Sequence, residues 1–580
     1  VIIGFNLPGE FLEAVKNQAR HAVDTFDPNS ERAHRFDLSD EVICTIDPDD
    51  AKDYDDAISL RRLDGGRVEL GVHIADVAHF VPRESALDLE ARKRGNSTYF
   101  PGHVIPMLPE VLSNGVCSLQ EGVPRLCKSV FITYDADAKP VGTKFANTII
   151  TSRQRLRYKE AQDIIDSAPA VYHPDGARAI KDYPEEVIEL LGEMNALAKR
   201  LQKRRRQQGQ VVLNLPEVEL VLDEEGKVVG TRQEDTSFTH TLIEMFMVEA
   251  NEAVARLLES VDVPFLRRVH PGPQTDDNER LRHFIQVAGY KLPKVMDRKA
   301  IQGILEQVKG KPEEFAINLA ILKSLTRAEY SPEPVGHYAL ASDAYSHYTS
   351  PIRRYADLTI HRLLDSYLRA REAAHAEDDG AGTIRRKGRG GRKGMIDPED
   401  IIDYDDLVTL GKQISFTERR SEDAERELRQ VKILELLSGR IGELFEGVVT
   451  GITNFGIFIQ IREYLVDGLI RYEDLMDDWW DVDERSGVIR GQRTGTRIGI
   501  GDVCKVIVVR VDVPRRELDL SVREVLGRSG GPGQQLPPPG KAPKKPTTRK
   551  KHQEKSHAKR GGEVRGRRGA GGGAKRRGGR

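Results

Sequence analysis

Six aspartates fall within the ten residues from Asp47 to Asp56, in the stretch "CTIDPDDAKDYDDAISL". Any fold that accepts this stretch has a charge problem to solve. "VICTI" (42–46) enters the cluster and "AISL" (57–60) leaves it, and both are apolar enough for buried strands. Carboxylates held between core-bound strands repel one another and resist ionisation. A solvated acidic loop is the common fate of such a run, but the apolar flanks weaken that reading. An EF-hand needs a ligand at its fifth position, Gly at its sixth and Glu at its twelfth. Counting from Asp47, those positions hold Ala51, Lys52 and Ile58. A site for Mg²⁺, which takes hard oxygen ligands and relieves the repulsion, is favoured over purely structural acidity.

At 580 residues the chain has room for roughly three domains. No apolar run is long enough to cross a membrane, and no basic-then-apolar leader is visible, so no membrane partner is expected. The chain begins at Val1 rather than Met, which suggests a fragment with upstream domains missing. Four scattered cysteines, Cys44, Cys117, Cys127 and Cys504, contain no CxxC pair. They fit a reducing cytoplasm and argue against zinc or a disulfide scaffold. The net charge of −2 conceals an asymmetry: residues 528–580 hold 17 Lys and Arg against 2 Asp and Glu, leaving −17 for the rest. This Gly/Pro-rich tail lacks core-forming residues and is expected to be disordered, a nonspecific phosphate-binding arm rather than a mere solubilising tail.

After the aspartates, Val68, Leu70, Val72 and Ile74 alternate as in a strand, behind a turn at 64–66. "THTLIEMFMVEANEAVARLLESV" is helical, with Thr239 as N-cap. From residue 440, short strands with Gly and Asp turns suggest a five-stranded OB-type barrel. A second constellation, "YSHYTSPIRRYADLTIHRLL", lies nearly 300 residues beyond the aspartates. Pro351 suits the first position of a helix, placing Arg353 and Arg354 in its first turn, where they could clamp phosphate. Tyr345, Tyr348 and Tyr355 offer faces for stacking bases. Each feature alone has a plainer explanation in packing, and His361 is more often a core histidine than a catalyst.

Together these segments resemble the ribonuclease II/ribonuclease R family, the RNB exoribonucleases. The resemblance is carried by the spacing of Asp47, Asp53, Asp55 and Asp56 and by "HIADVAHFV", "NSTYFPGHVIPMLP", "LSNGVCSL", "HTLIEMFM", "HYTSPIRRYADL" and "SFTERRSEDAER", in family order. "FEGVVTGITNFGIFIQI" and "DGLIRYEDL" resemble an S1-type RNA-binding domain, and the basic tail points to the ribonuclease R branch. The resemblance implies that Asp47, Asp53, Asp55 and Asp56 hold one or two Mg²⁺ ions, with Asp55 most closely tied to cleavage. Asp49 and Asp50 fall outside the signature and are read as solvated. Arg353 is implied to stabilise the phosphate and Tyr99 to stack on terminal nucleotides. Glu244 matches the first acidic residue of an "IEEFM" helix whose second is Met245 here. Tyr348, Arg354, Tyr355, Phe455 and Phe458 are further RNA-binding candidates. Phe445, Phe455 and Phe458 could equally be barrel core.

The expected fold is α+β: a lead-in (1–36), an RNB catalytic domain of mixed sheet and helices (37–372), a flexible Gly/Arg-rich insertion (373–398), a helical end (399–439), an S1-type OB barrel (440–524) and a disordered basic tail (525–580). Relatives carry cold-shock-type domains ahead of the catalytic region, and this chain begins without them. The implied activity is processive 3′→5′ hydrolysis of single-stranded RNA to nucleoside 5′-monophosphates, in RNA turnover, by a cytoplasmic monomer. The tail is the expected contact for structured RNA or the ribosome. A catalytically silent RNA-binding scaffold and an endonuclease are the rival readings.

Overall fold

A computed structural model describes residues 1–293, 296–311, 313–380, 396–475, 478–483, 487–527 and 534–535. The aspartate stretch begins where a central seven-stranded sheet ends. Its strands are β1 (Phe36–Asp37), β2 (Cys44–Asp47), β3 (Asp56–Leu63), β4 (Arg67–Ala75), β7 (Pro124–Tyr134), β8 (Pro140–Thr151) and β9 (Gln154–Arg157), in the order β1-β8-β7-β4-β3-β2-β9. A small hairpin, β5 (Thr98–Phe100) and β6 (His103–Ile105), stands apart from it. The 64–66 turn forms as its glycines predict, with Gly65 and Gly66 both at positive φ.

Both faces of the sheet are covered at its centre, so β4 and β7 are buried along most of their length. On one face Ile58, Leu70, Val72 and Ile74 pack against the Glu185–Gln208 and Phe238–Ser260 helices. On the other, Ala57, Ala75, Leu126 and Ile149 meet Ile352, Leu358 and Leu410. The Phe238–Ser260 helix is capped at Ser237, not Thr239, whose hydroxyl donates to Tyr158 O at 2.8 Å.

Two further hairpin-like pairs follow, β10 (Val218–Leu222) with β11 (Val228–Gln233), and β12 (Arg267–Val269) with β13 (Glu329–Ser331). The long Tyr404–Ser438 helix then runs into the barrel, contributing Ile433, Leu434 and Leu437 to its core. The barrel order is β16 (Val466–Arg471), β15 (Gly456–Ile461), β14 (Leu444–Ile452), β20 (Val503–Asp512), β21 (Glu517–Gly527). Leu469 pairs with Asp519 and closes it. Between β16 and β20 lies an extra sheet, β17 (Trp480–Asp483), β18 (Val488–Gly491) and β19 (Arg497–Gly499). The β10–β11 hairpin ties the barrel to the larger domain: Leu220 packs on the barrel core and Thr231 Oγ1 donates to Glu463 O at 2.6 Å. The architecture is thus a mixed α/β domain followed by a small OB-like barrel.

The Tyr355–Gly380 helix continues into the segment read as a flexible insertion. Residues 381–395 of that segment, and the tail apart from 525–527 and 534–535, lie outside the described residues.

Candidate active site

β2 and β3 pair only through Cys44 and Ile58, so they diverge and the loop carrying the aspartates opens at the sheet's end. The loop is nevertheless pinned. Ser118 Oγ donates to Lys52 O and accepts from Tyr54 N–H, and Arg155 reaches the carbonyls of Pro48, Asp49 and Ala51. Asp47, the last residue of β2, and Asp55, just before β3, are buried, whereas Asp53 and Asp56 are half-buried. Asp49 and Asp50 are exposed, outside this group.

Burial and mutual repulsion both act on the Asp47 and Asp55 carboxyls. Burial raises the Asp47 carboxyl well above the ordinary carboxylate range, and Asp56 and Asp53 add to the shift. Burial does the same for Asp55, opposed by Arg353 and an amide hydrogen bond and reinforced by Asp53 and Asp56. Asp56 is raised by burial to about 6 despite Arg353 and Arg354. Asp47 Oδ2 and Asp55 Oδ2 are buried without a hydrogen-bond partner. Among the described residues, no group of three or more His, Cys, Asp or Glu side chains already converges as cation ligands.

The second constellation meets this loop directly. Ile352 N–H donates to Asp55 Oδ1 at 2.9 Å, and Arg353 Nε stands 3.7 Å from Asp55 Oδ2, its side chain 46% exposed. Ser97 N–H donates to Arg353 O, and Tyr355 N–H to Gly95 O, which locks the 345–362 segment onto the strand leading to Tyr99. Gly95 has φ +76°, and a Cβ there would overlap Thr417. Tyr99 is 38% exposed; its hydroxyl donates to Asp53 Oδ2 at 3.1 Å and its N–H to Glu425 Oε1 at 2.6 Å. The loop that carries Asp53 and Asp55 thus meets Tyr99 and Arg353 directly, with Asp47 and Asp56 at the strand ends on either side of it. Glu244 is solvent-accessible on the Phe238–Ser260 helix, yet enclosed enough that desolvation raises its carboxyl, against the pull of Arg205.

Several expected contacts are corrected. No helix starts at Pro351; the helix begins at Tyr355, because Tyr355 N–H is given to Gly95 O rather than to the carbonyl of Pro351. Arg354 precedes the helix and binds both oxygens of buried Asp357, at 2.9 and 2.7 Å, so it is committed to an internal ion pair rather than phosphate. Tyr348 has no face to offer RNA: it is fully buried, stacked on His361, with its hydroxyl on Lys128 O. Tyr355 is buried with its hydroxyl on Asp88, and Tyr345 is buried against Asn251. His361 is core, its Nε2 2.8 Å from Tyr348 O. Phe445 is barrel core, whereas Phe455 is 53% exposed and meets the half-buried Phe458 edge-on.

The structure also adds Tyr158, which follows β9 directly and stacks on His240 at 3.7 Å and 17°. Burial, then Asp56 and Asp47, raise its hydroxyl pKa. Asp47 pairs with Arg157 across β2 and β9, and this register alone brings Tyr158 to the Asp47 end of the sheet. Nothing in "RYKEAQ" announces it.

The RNB domain family matches residues 35–370, and the S1 RNA binding domain family matches residues 439–523. Ribonuclease R of Thermotoga maritima is 37% identical over 90% of this chain and 70% of its own length. The chain spans between 58% and 70% of the length of the curated relatives it matches. Among solved structures, Mycoplasma genitalium RNase R in complex with ribose-methylated single-stranded RNA has TM-score 0.78 and 29% identity, covering 90% of this chain and 77% of that one. Yeast Ssd1, a pseudonuclease, shares the fold at TM-score 0.59 and 17% identity, over 83% of this chain and 54% of its own. The match takes in the pinned aspartate loop, the segment that closes on it and the barrel beyond, and on that basis the chain belongs to the ribonuclease R family.

Proposed function

We propose that this chain is a Mg²⁺-dependent exoribonuclease that releases nucleoside 5′-monophosphates from the 3′ end of single-stranded RNA. The observation that carries the proposal is the pair of buried carboxylate oxygens without a hydrogen-bond partner, Asp47 Oδ2 and Asp55 Oδ2, on the loop that meets Arg353 and Tyr99. Buried carboxylates without compensation are costly unless something neutralises them. An all-oxygen donor set suits Mg²⁺, and Asp47, Asp53, Asp55 and Asp56 would hold it. Held there, Mg²⁺ would supply Lewis-acid polarisation of the scissile phosphate and a lowered pKa for the attacking water.

The chain's own residues do the rest. The Ile352 amide fixes the Asp55 carboxylate through Oδ1, leaving Oδ2 toward Arg353. Arg353 keeps nearly half its guanidinium in solvent, so it can reach a phosphate oxygen and offset charge growing on it. Tyr99 is anchored through its main chain to the Tyr404–Ser438 helix and through its hydroxyl to Asp53, which holds its ring at the aspartate loop for a terminal base. Stacking grips any base, which suits degradation without sequence preference. Phe455 and Phe458 give the barrel a candidate platform for the incoming strand. The basic 528–580 segment is proposed, on charge alone, to add nonspecific phosphate affinity.

Labelled poly(A) incubated with Mg²⁺, with and without EDTA, tests the reading. Mononucleotides, formed only with the ion and only from an unblocked 3′ end, are expected. Long fragments would point to an endonuclease, and intact RNA in a protein that binds it would mean a silent scaffold.

A further inference from the structure

The extra sheet β17–β18–β19 has two unlike faces. Trp480, Val482, Ile489 and Ile498 pack inward on the barrel core. The register sets Asp481, Arg490 and Arg497 in one row on the other face, where all three are exposed. Trp479 immediately precedes β17, two residues before Asp481. It is 44% exposed, and its carbonyl accepts from Gln492 N–H at 2.8 Å, which holds it at the strand's edge beside that row.

Two things about this face call for a partner. Arg490 and Arg497 stand directly opposite each other on an antiparallel pair, where like charges repel. Asp481 relieves only one end of the row, because it flanks Arg490 from the far side and also accepts from Gln492 Nε2 at 2.7 Å. Beside these cations an indole lies open to water, although Trp is usually well buried. Cations that track a backbone next to an aromatic that accepts any base are the two parts of a single-strand site.

We propose that this face is an accessory site for single-stranded RNA, with phosphates lying across Arg490 and Arg497 and one base stacked on Trp479. The inference rests on the RNA-degrading reading above and adds residues distinct from the aspartates and from Phe455 and Phe458. A duplex hides its base faces, so the indole favours single strands. A strand engaging both this sheet and the aspartate loop must be long, so the contact serves long substrates and not short end-products.

The chain's only two tryptophans make the test direct. In EDTA, which stops metal-dependent hydrolysis, the full chain bearing Trp480→Phe reports Trp479 alone. Saturating oligo(A) should quench its emission, and duplex RNA should not. Replacing both arginines (Arg490→Ala with Arg497→Ala) should flatten the slope of log affinity against log salt by about 1.4, from roughly 0.7 per lost single-strand phosphate contact. Trp479→Ala should weaken binding of a long strand by about tenfold, while Trp479→Phe restores it and binding of a tetranucleotide is unmoved. Unquenched emission with an unchanged slope, in protein that still binds RNA, would overturn the accessory site and leave the nuclease reading standing. Quenching that follows protein concentration without RNA would assign the face to a second copy and overturn it too. Wild-type protein that binds no RNA would bring down the reading beneath it as well.

Discussion

Two buried carboxylates sit one strand apart at the same end of the central sheet. Asp55 lies just before β3 and Asp76 just after β4, and Ala75 N–H donates to Asp55 O at 2.9 Å between them. Asp76 meets Arg35 Nη2 at 2.8 Å and Lys128 Nζ at 3.3 Å, and both cations are themselves buried. Burial pushes the Asp76 carboxyl up, but Lys128 and Arg35 outweigh it and hold it below the ordinary range. Among the described residues the cation facing Asp55 is the half-exposed Arg353, helped by the Ile352 amide, and Asp53 and Asp56 oppose its ionisation further. A cation in water is screened and a buried one is not. The fold completes one carboxylate internally and leaves an oxygen of its neighbour, Asp55 Oδ2, without a hydrogen-bond partner, the difference on which the proposed metal site draws.

The comparison can be broken most severely at Asp55. Asp55→Asn should lower single-turnover cleavage by about 10³-fold or more, with RNA affinity changed only a few-fold; near-normal cleavage would remove the distinction. Opposite effects on stability should follow. Lys128→Met strips Asp76 and Asp365 of a shared cation and should cost about 3–5 kcal/mol in denaturant unfolding. Asp55→Asn in EDTA should instead melt at a higher temperature than the wild type, because it removes an uncompensated charge.

Acidity sharpens the contrast. Asp56 is raised from its ordinary 3.8 to about 6, so its contribution to stability is present below about 4 and lost as pH rises through about 6. Asp76 is lowered, so its contribution is present above about 4 and lost only in stronger acid. In EDTA, the melting advantage of Asp56→Asn over the wild type should therefore shrink from pH 7 to pH 5, whereas the deficit of Asp76→Asn should persist across that window. The smallest effect is expected at Tyr99. Tyr99→Phe keeps the ring and loses one hydrogen bond to Asp53, so KM for oligo(A) should rise about two- to fivefold. Tyr99→Ala should weaken binding by a further 1 kcal/mol or so.

How far the sequence was legible follows the same division. The run that carries Asp47, Asp53, Asp55 and Asp56 stands out because an acidic stretch between two apolar strands is anomalous within a single window, and the structure puts it at the end of the sheet with Asp47 and Asp55 buried. The barrel was readable because short alternating strands with Gly turns are local patterns; its extra sheet was not, since its strands look like those of the barrel. The tyrosines of 345–355 were misread for a different reason. Whether a tyrosine is a platform or a wall depends on what its hydroxyl meets, and Tyr348 meets Lys128 O while Tyr355 meets Asp88, 220 and 267 residues away.

The sequence by itself determined that a like-charged cluster would sit at the end of core strands, that an arginine-rich segment existed to answer it, and that a small barrel would follow. These depend on composition and periodicity within short windows. Only the tertiary structure decided which cations reached which carboxylates. It placed Arg354 on Asp357, Lys128 on Asp76 and the exposed Arg353 beside Asp55, and it brought Tyr158 to the Asp47 end of the sheet through the β2–β9 register. Charge compensation acts over a few ångströms between residues that can be hundreds of positions apart, so a linear pattern carries the charges but not their pairing.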